Sequence, residues 1–389
     1  MDIDATWLLL GLPLAFGLGW LASRLDVRQM RIENRRAPKA YFKGLNFLLN
    51  EQQDQAIDAF IEAVQNDPDT SELHFALGNL FRRRGEYERA VRVHEHLLSR
   101  GDLSRADRDR AQHALALDFL KAGLLDRAEA ALNSLEGTHF EGEARLALLG
   151  TFERSREWGK AAQIAAKLED SDQGSFAARR AHYLCEQAAT HFIANDFSVC
   201  KELLYKAQSI APTAARPPMD IARLHTRLGE QLAAYACLAE AMNAIPAAAP
   251  LFADPLADAA IASSRAHAAL ELLKANYASA PSLDVLEAIV KIEATQANSS
   301  PSAQTSARDW YVQHLEREPS LVAAAKWIAG EKLEHEQFHP QVQRALDHAV
   351  KPLTRYRCAA CGFEGKQHFW QCPGCQAWDS YPPRRVEEL

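Results

Sequence analysis

The chain has 389 residues, 48% hydrophobic and 24% charged, with a formal net charge of -7 and an isoelectric point near 6.1. That balance supplies no overall positive field and argues against nucleic acid as a partner, while many Ala and Leu with few Val or Ile favour close-packed helices over strands. Seven cysteines are present, four of them between 358 and 375; this clustering points to metal ligation in a reducing compartment, not to a disulfide framework.

Residues 5–23 (ATWLLLGLPLAFGLGWLAS) carry no charged side chain. With Ile3 they reach the length of about 20 residues needed to cross a bilayer as a helix. Asp2 and Asp4 stand where a signal peptide would carry Lys or Arg, and no small-x-small cleavage site follows, so an uncleaved single-pass anchor is expected over 1–23. A basic juxtamembrane segment, 24–36, comes next; Arg24, Arg28, Arg31, Arg35 and Arg36 outnumber Asp26 and Glu33, which keeps this flank on the cytoplasmic side and the N-terminus outside. Gly11, Ala15 and Gly19 share one helix face on which another membrane helix could pack closely, although glycine is also simply tolerated in such segments.

Residues 37–281 read as tetratricopeptide repeats. The clearest unit is residues 74–90 (HFALGNLFRRRGEYERA), where Leu77, Gly78, Phe81, Gly85, Tyr87 and Ala90 fill the large, small and aromatic positions and the turn glycine of that motif. Thirty-four residues earlier, Gly44, Phe47, Ala56, Phe60, Ala63 and Pro68 hold the corresponding places. Later units keep Leu115, Ala116, Phe119, Gly123 and Ala128; Leu148, Phe152, Trp158 and Ala161; Ala188, Phe197, Cys200 and Ala207; and Ala222, Gly229, Ala234 and Ala241. A weaker seventh is marked by Ala269, Leu273 and Pro281. Residues Asp102 to Asp107 lengthen one inter-unit turn. Further helices are expected over 282–353, interrupted by a flexible connector at Asn298–Thr305 and including a partial unit with Trp310, Tyr311 and Trp327, with the last helix near Gln341–Val350. Stacked helix pairs of this kind form a superhelix with a concave face that binds other proteins. In the second unit Phe75, Asn79, Arg82 and Arg83 are expected on that face as a cationic patch for an acidic or C-terminal peptide, a solvated charged surface being the plainer reading. His94 and His96 are expected at the surface. Cys185, Cys200 and Cys237 occupy small buried positions.

Residues 354–389 carry two C-x-x-C hooks, Cys358/Cys361 and Cys372/Cys375, ten residues apart. Four thiolates in paired hooks suit one tetrahedral Zn or Fe ion, with backbone N–H groups turned toward the sulfurs, and a knob of this size needs the metal to fold. Phe363, Phe369, Trp370 and Trp378 are then packing residues that dock the knob on the array. His335-Glu336-Gln337-Phe338-His339 matches the H-E-x-x-H string of zinc proteases, but Pro340 disfavours helical geometry at His339. No residue constellation suggests catalysis.

An anchor, an all-α tetratricopeptide-repeat superhelix and a rubredoxin-like or zinc-ribbon knob together describe a tethered adaptor, not an enzyme. The whole chain resembles the lipopolysaccharide assembly protein B family of Gram-negative bacteria. The resemblance is carried by Asn46–Leu49, by Leu77–Arg82, and by Tyr356-Arg357-Cys358 through Trp370, Cys372-Pro373 and Trp378. It implies an inner-membrane regulator of lipopolysaccharide synthesis that acts with the FtsH protease on the deacetylase LpxC, organises lipopolysaccharide enzymes and is restrained by an inner-membrane partner; a homo-oligomer is compatible with it. A general assembly scaffold and a rubredoxin-type redox carrier are the alternatives. The short spacing between hooks and Gln376, in place of the glycine usual after the last cysteine, depart from true rubredoxins.

Overall fold

The computed structural model describes residues 42–66, 70–171, 174–296, 302–330 and 339–389, and places Phe16, Leu18 and Trp20 in helical conformation. The rest of the expected anchor, including Gly11, Ala15 and Gly19, and the string 335–338 lie outside the described residues. Among those described, no single helix is long and apolar enough to cross a membrane.

The chain divides into two compact units, Met1–Arg156 and Glu157–Leu389. The first contains helical residues 42–49 (α1), α2 (Gln53–Asn66), α3 (Ser71–Arg84), α4 (Tyr87–Ser99), α5 (Arg105–Ala122), α6 (Leu125–Asn133) and α7 (Glu141–Ser155). The second contains α8 (Trp158–Asp170), α9 (Ala177–Ile193), α10 (Phe197–Ile210), α11 (Arg216–Arg227), α12 (Gln231–Ala244), α13 (Ala249–Ala262), α14 (Ala266–Ser279), α15 (Leu283–Gln296), α16 (Ser302–Arg317), α17 (Leu321–Ala329) and α18 (His339–Val350), followed by the strands β1 (Tyr356–Arg357) and β2 (Glu364–Gly365). Within each unit the helices form successive antiparallel hairpins.

Small side chains recur in the sequence because hairpins pack through them: Ala56, Ala63, Ala90 and Ala128 in the first unit, and Ala161, Ala188, Ala207, Ala234 and Ala269 in the second, are all buried. In six of these hairpins the turn reverses direction through one residue in the left-handed region. Gly85, Gly123 and Gly229 do so with φ between 76° and 84°, satisfying the last carbonyls of the preceding helix. Glu51, Asn195 and Ser264 do the same at φ near 60° without being glycine. The repeat is therefore more regular in the backbone than in the glycines.

Three local expectations are corrected. Residues 105–107 belong to α5, because Ser104 caps that helix by accepting the Asp107 N–H at 3.1 Å. Ser302–Thr305 are helical, the first turn of α16, so the connector ends earlier. His94 is fully buried, not at the surface. Its ring lies over Gly78, where any Cβ would approach to 2.5 Å. Nδ1 donates to Asp118 at 2.5 Å, and Asp118 accepts Arg82 Nη1 at 2.8 Å. The small residue at position 78 is thus required by the imidazole beneath it.

In the second unit one apolar core runs from Ala222 to Ala323 and includes Phe252, Tyr277, Leu286, Ile289 and Val322. Helices α15 and α17, where the repeat spacing fades, share the core of the hairpins before them.

Candidate metal centre

β1 and β2 pair antiparallel, Tyr356 opposite Gly365 and Arg357 opposite Glu364, so the first hook follows one strand and turns back into the other. Cys358 N–H donates to the Phe363 carbonyl at 2.9 Å. Gly362 takes φ +76°, the left-handed residue that closes this hook. The second hook closes at Gln376, at φ +61°, whose N–H donates to the Cys372 carbonyl at 2.8 Å. Gln376 therefore adopts the conformation of the glycine it replaces. A Cβ at Gly374 would meet the Phe363 side chain at 3.4 Å, an ordinary van der Waals contact, so space does not demand glycine there.

The four sulfurs converge within 4.8 Å of one another. Cys358 Sγ lies 3.8 Å from Cys375 Sγ, and Cys361 Sγ lies 3.6 Å from Cys372 Sγ. A tetrahedral ion with metal–sulfur bonds of about 2.3 Å requires edges of about 3.8 Å, so the donor set fits one such ion. Ser380 Oγ, 3.3 Å from Cys358 Sγ, helps to draw that thiol down to about 6, aided by the N–H groups of Cys361 and Ala360. Burial opposes ionisation of Cys372, yet the N–H groups of Cys375 and Gly374 bring it below the usual thiol range. Cys358 and Cys372 are buried, whereas Cys361 and Cys375 face solvent.

The knob is docked on the helices of its own unit. Trp378 stacks on the buried His182 with centroids 4.8 Å apart and meets Tyr183 and Trp158 edge-on. His182 Nε2 donates to Asp379 at 2.8 Å. Tyr356, Tyr381, Cys358 and Cys372 form a small core with Leu251, against which Phe369 and Trp370 pack. Phe363 is the exception among the expected packing aromatics and stays 43% exposed.

The last residues, which carry no motif, make the most extensive polar contacts. Arg385 forms a fork on Asp284, Nη2 at 2.7 Å and Nε at 3.1 Å, while Nη1 donates to the Thr354 carbonyl at 2.8 Å. Glu387 accepts the backbone N–H groups of Leu321 and Val322 at 2.5 and 3.2 Å and the Ser320 hydroxyl at 2.8 Å. Glu388 accepts the Leu283 N–H at 2.8 Å. Adjacent carboxylates thus cap α17 and α15, where the helix dipole favours negative charge. An acidic pair beyond a metal knob could have prompted this reading; its targets, some 65 to 105 residues away, could not be inferred from spacing.

The residues expected on a peptide-binding face are not brought together as one. Phe75 is 1% exposed, beneath the Arg110 guanidinium at 4.0 Å, and is a core residue with no surface to offer. Arg82 holds Asp118 and the Asn79 amide oxygen. Arg83 alone of the four is exposed. Cys185 and Cys200 are buried as expected, and Cys237 is half-buried. In the protease-like string, His339 bonds to the Ile328 carbonyl at 3.2 Å.

A family model described as a rubredoxin metal binding domain matches residues 356–382. Lipopolysaccharide assembly protein B of Escherichia coli (strain K12) is 30% identical over 398 residues, 97% of this chain and 98% of that protein. The protein of the same name from Haemophilus influenzae is 26% identical over 409 residues, 98% of each chain. Among solved structures, a tetratricopeptide repeat protein from Parabacteroides merdae aligns with 66% of this chain and 99% of its own at 15% identity and a TM-score of 0.34.

Proposed function

Because the chain belongs to the lipopolysaccharide assembly protein B family, we propose that it is a non-catalytic adaptor of lipopolysaccharide assembly, tethered to the bacterial inner membrane. The observation that carries this reading is the relation to the Escherichia coli protein over 97% of this chain and 98% of that one. In it the N-terminus is periplasmic, residues 5–23 cross the membrane once, and the rest is cytoplasmic. Its partners are the FtsH protease and its substrate LpxC, together with an inner-membrane protein that meets the helix at Gly11, Ala15 and Gly19. Holding protease and substrate on one tethered chain raises their effective concentration, and so the rate of turnover, without adding a reacting group. Bound metal supplies the crosslink between the two hooks. The chain's own residues do the rest: Trp378, Asp379 and Arg385 fix the knob to the helices, and exposed residues such as Arg83 are free to meet partners.

The test is the half-life of LpxC in cells whose only copy carries Cys358→Ser and Cys361→Ser. The reading predicts a longer half-life and raised deacetylase. If depletion of the whole chain leaves that half-life unaltered while lipopolysaccharide enzymes disperse, the protein is a general scaffold instead. The solvent-facing Cys361 and Cys375 favour one further reading, a one-electron carrier. A coloured protein with a reversible iron-centred potential would support it, and a colourless zinc protein excludes it.

A further inference from the structure

The tail beyond the second hook is strung between the metal centre and two helices of the array. At its start, Ala359 N–H donates to the Ser380 carbonyl at 2.7 Å, and the Tyr381 hydroxyl donates to the Phe363 carbonyl at 3.1 Å, beside Cys372 Sγ at 3.9 Å. Tyr381 is therefore held by the folded hooks. Pro382 and Pro383 follow, each with φ fixed by its ring, so the tail leaves the knob in a restricted direction. It then pairs with the segment entering the first hook: Val386 N–H donates to the Arg355 carbonyl at 2.7 Å, and Glu387 N–H to the Leu353 carbonyl at 3.2 Å. At its end, Glu387 and Glu388 cap α17 and α15 and Arg385 grips Asp284. The start of this tail depends on order in the knob, and a knob of about thirty residues depends on its metal.

We propose that the tail Arg385–Glu388 is a metal-dependent clasp: occupancy of the four-cysteine site sets the order of α15 and α17. Loss of metal frees the hooks, Tyr381 loses its seat, and the two carboxylates leave the helix N-termini. The N–H groups of Leu283, Leu321 and Val322 then lose these partners, although Ser282 still reaches Val285 at 3.5 Å and Ser320 still caps Ala323 at 2.9 Å. The metal acts on the protein surface through helix order and not through any reaction. This inference is independent of what the array binds.

Hydrogen exchange on the full chain, metal-loaded and after chelation under reducing conditions, tests it. Chelation is expected to speed exchange at the start of α15 and of α17 by about tenfold, the typical effect of removing a cap, while peptides over 71–122 keep their rates. Exchange that rises only within 356–382 overturns the proposal, as does loosening that reaches 71–122 equally. A second arm separates the clasp from simple unfolding of the knob. Glu387→Ala, with one metal per chain confirmed by elemental analysis, should speed exchange at 321–322 and leave 356–382 protected. Unchanged exchange at 321–322 in that metal-loaded variant overturns it as well.

Discussion

Asp118→Ala should be among the most damaging single substitutions in the first unit, and the structure fixes why. Asp118 is fully buried and accepts two charge-assisted hydrogen bonds, from Arg82 at 2.8 Å and from His94 at 2.5 Å. Such bonds contribute about 1.5–3 kcal/mol each. The two donors are left in different states. Arg82 is part-exposed and keeps the Asn79 side chain and the Ala114 carbonyl at 3.1 Å, so its loss falls at the lower end. His94 has no such reserve, since its Nε2 is buried without a partner and its ring is pressed against Gly78. The sum is a loss of about 3–5 kcal/mol, the usual result of breaking a buried ion pair on one side. Replacing the whole trio, with Asp118→Leu, His94→Leu and Arg82→Met, should recover most of it, because no unpaired buried charge remains. Urea unfolding of the full chain, with hydrogen exchange of peptides over 71–122 to localise the effect, measures both variants. A loss below about 1 kcal/mol in Asp118→Ala, or a triple variant no better than the single one, would refute the reasoning.

Three further outcomes are expected. Gln376→Gly relieves a left-handed side-chain residue and should stabilise the loaded knob by about 1 kcal/mol, whereas Gly362→Ala, at φ +76°, should cost about 1–2 kcal/mol, both read from the chelator concentration that strips the metal. Trp378→Ala removes the ring stacked on His182 and should cost about 2–4 kcal/mol, somewhat less than a fully buried Trp; limited proteolysis should then cut near residue 354 while metal remains bound. Burial holds the imidazole of His314 below its usual value; Glu318 and Glu387 act against this and Arg317 with it, and Nδ1 accepts the Tyr277 hydroxyl at 2.7 Å. Its contribution is complete above about pH 6.5 and is lost as the pH falls toward the folded value, because the unfolded chain takes up the proton first. The urea midpoint should therefore drop between pH 7.5 and 5.5 (assay values on the order of one unit either side of that point), and His314→Leu should flatten the drop.

The hairpins were legible because each one repeats the same packing problem. Ala90, Ala128, Ala161 and Ala207 stand where two helices approach closely, and Phe60, Phe81 and Phe119 fill the space beside them; a volume constraint of that kind leaves a period in the residues themselves. The metal ligands were legible because only cysteine at that spacing closes a hook around an ion. The turn conformation was only half visible. Gly85 and Gly123 announce it, but Asn195 and Ser264 adopt the same backbone at the cost of strain, and a reader looking for glycine passes over them. The place of Phe75 on the first helix of its unit suggests the concave face, but that helix also carries a buried stripe, and Leu97, Ala111 and the Arg110 guanidinium close over the ring.

What spacing could not reveal is what the chain does with charge across long separations. Glu387 and Glu388 resemble any solvated acidic end, and Asp284 resembles any acidic residue in a first helical turn, where it is favourable with no partner at all. Only the fold brings Arg385 to Asp284 and the two carboxylates to Leu321 and Leu283. The same reasoning separates these residues from Arg83, whose charge stays in water. If the caps were incidental surface contacts, truncating Glu388 would shift stability by no more than about 0.5 kcal/mol. Because Glu388 instead accepts the Leu283 N–H at the edge of the core that Leu283 itself helps to form, Glu388→Ala, which removes the acceptor, should weaken α15 in the metal-loaded protein, and the effect should disappear once the metal has been removed and the tail has already let go.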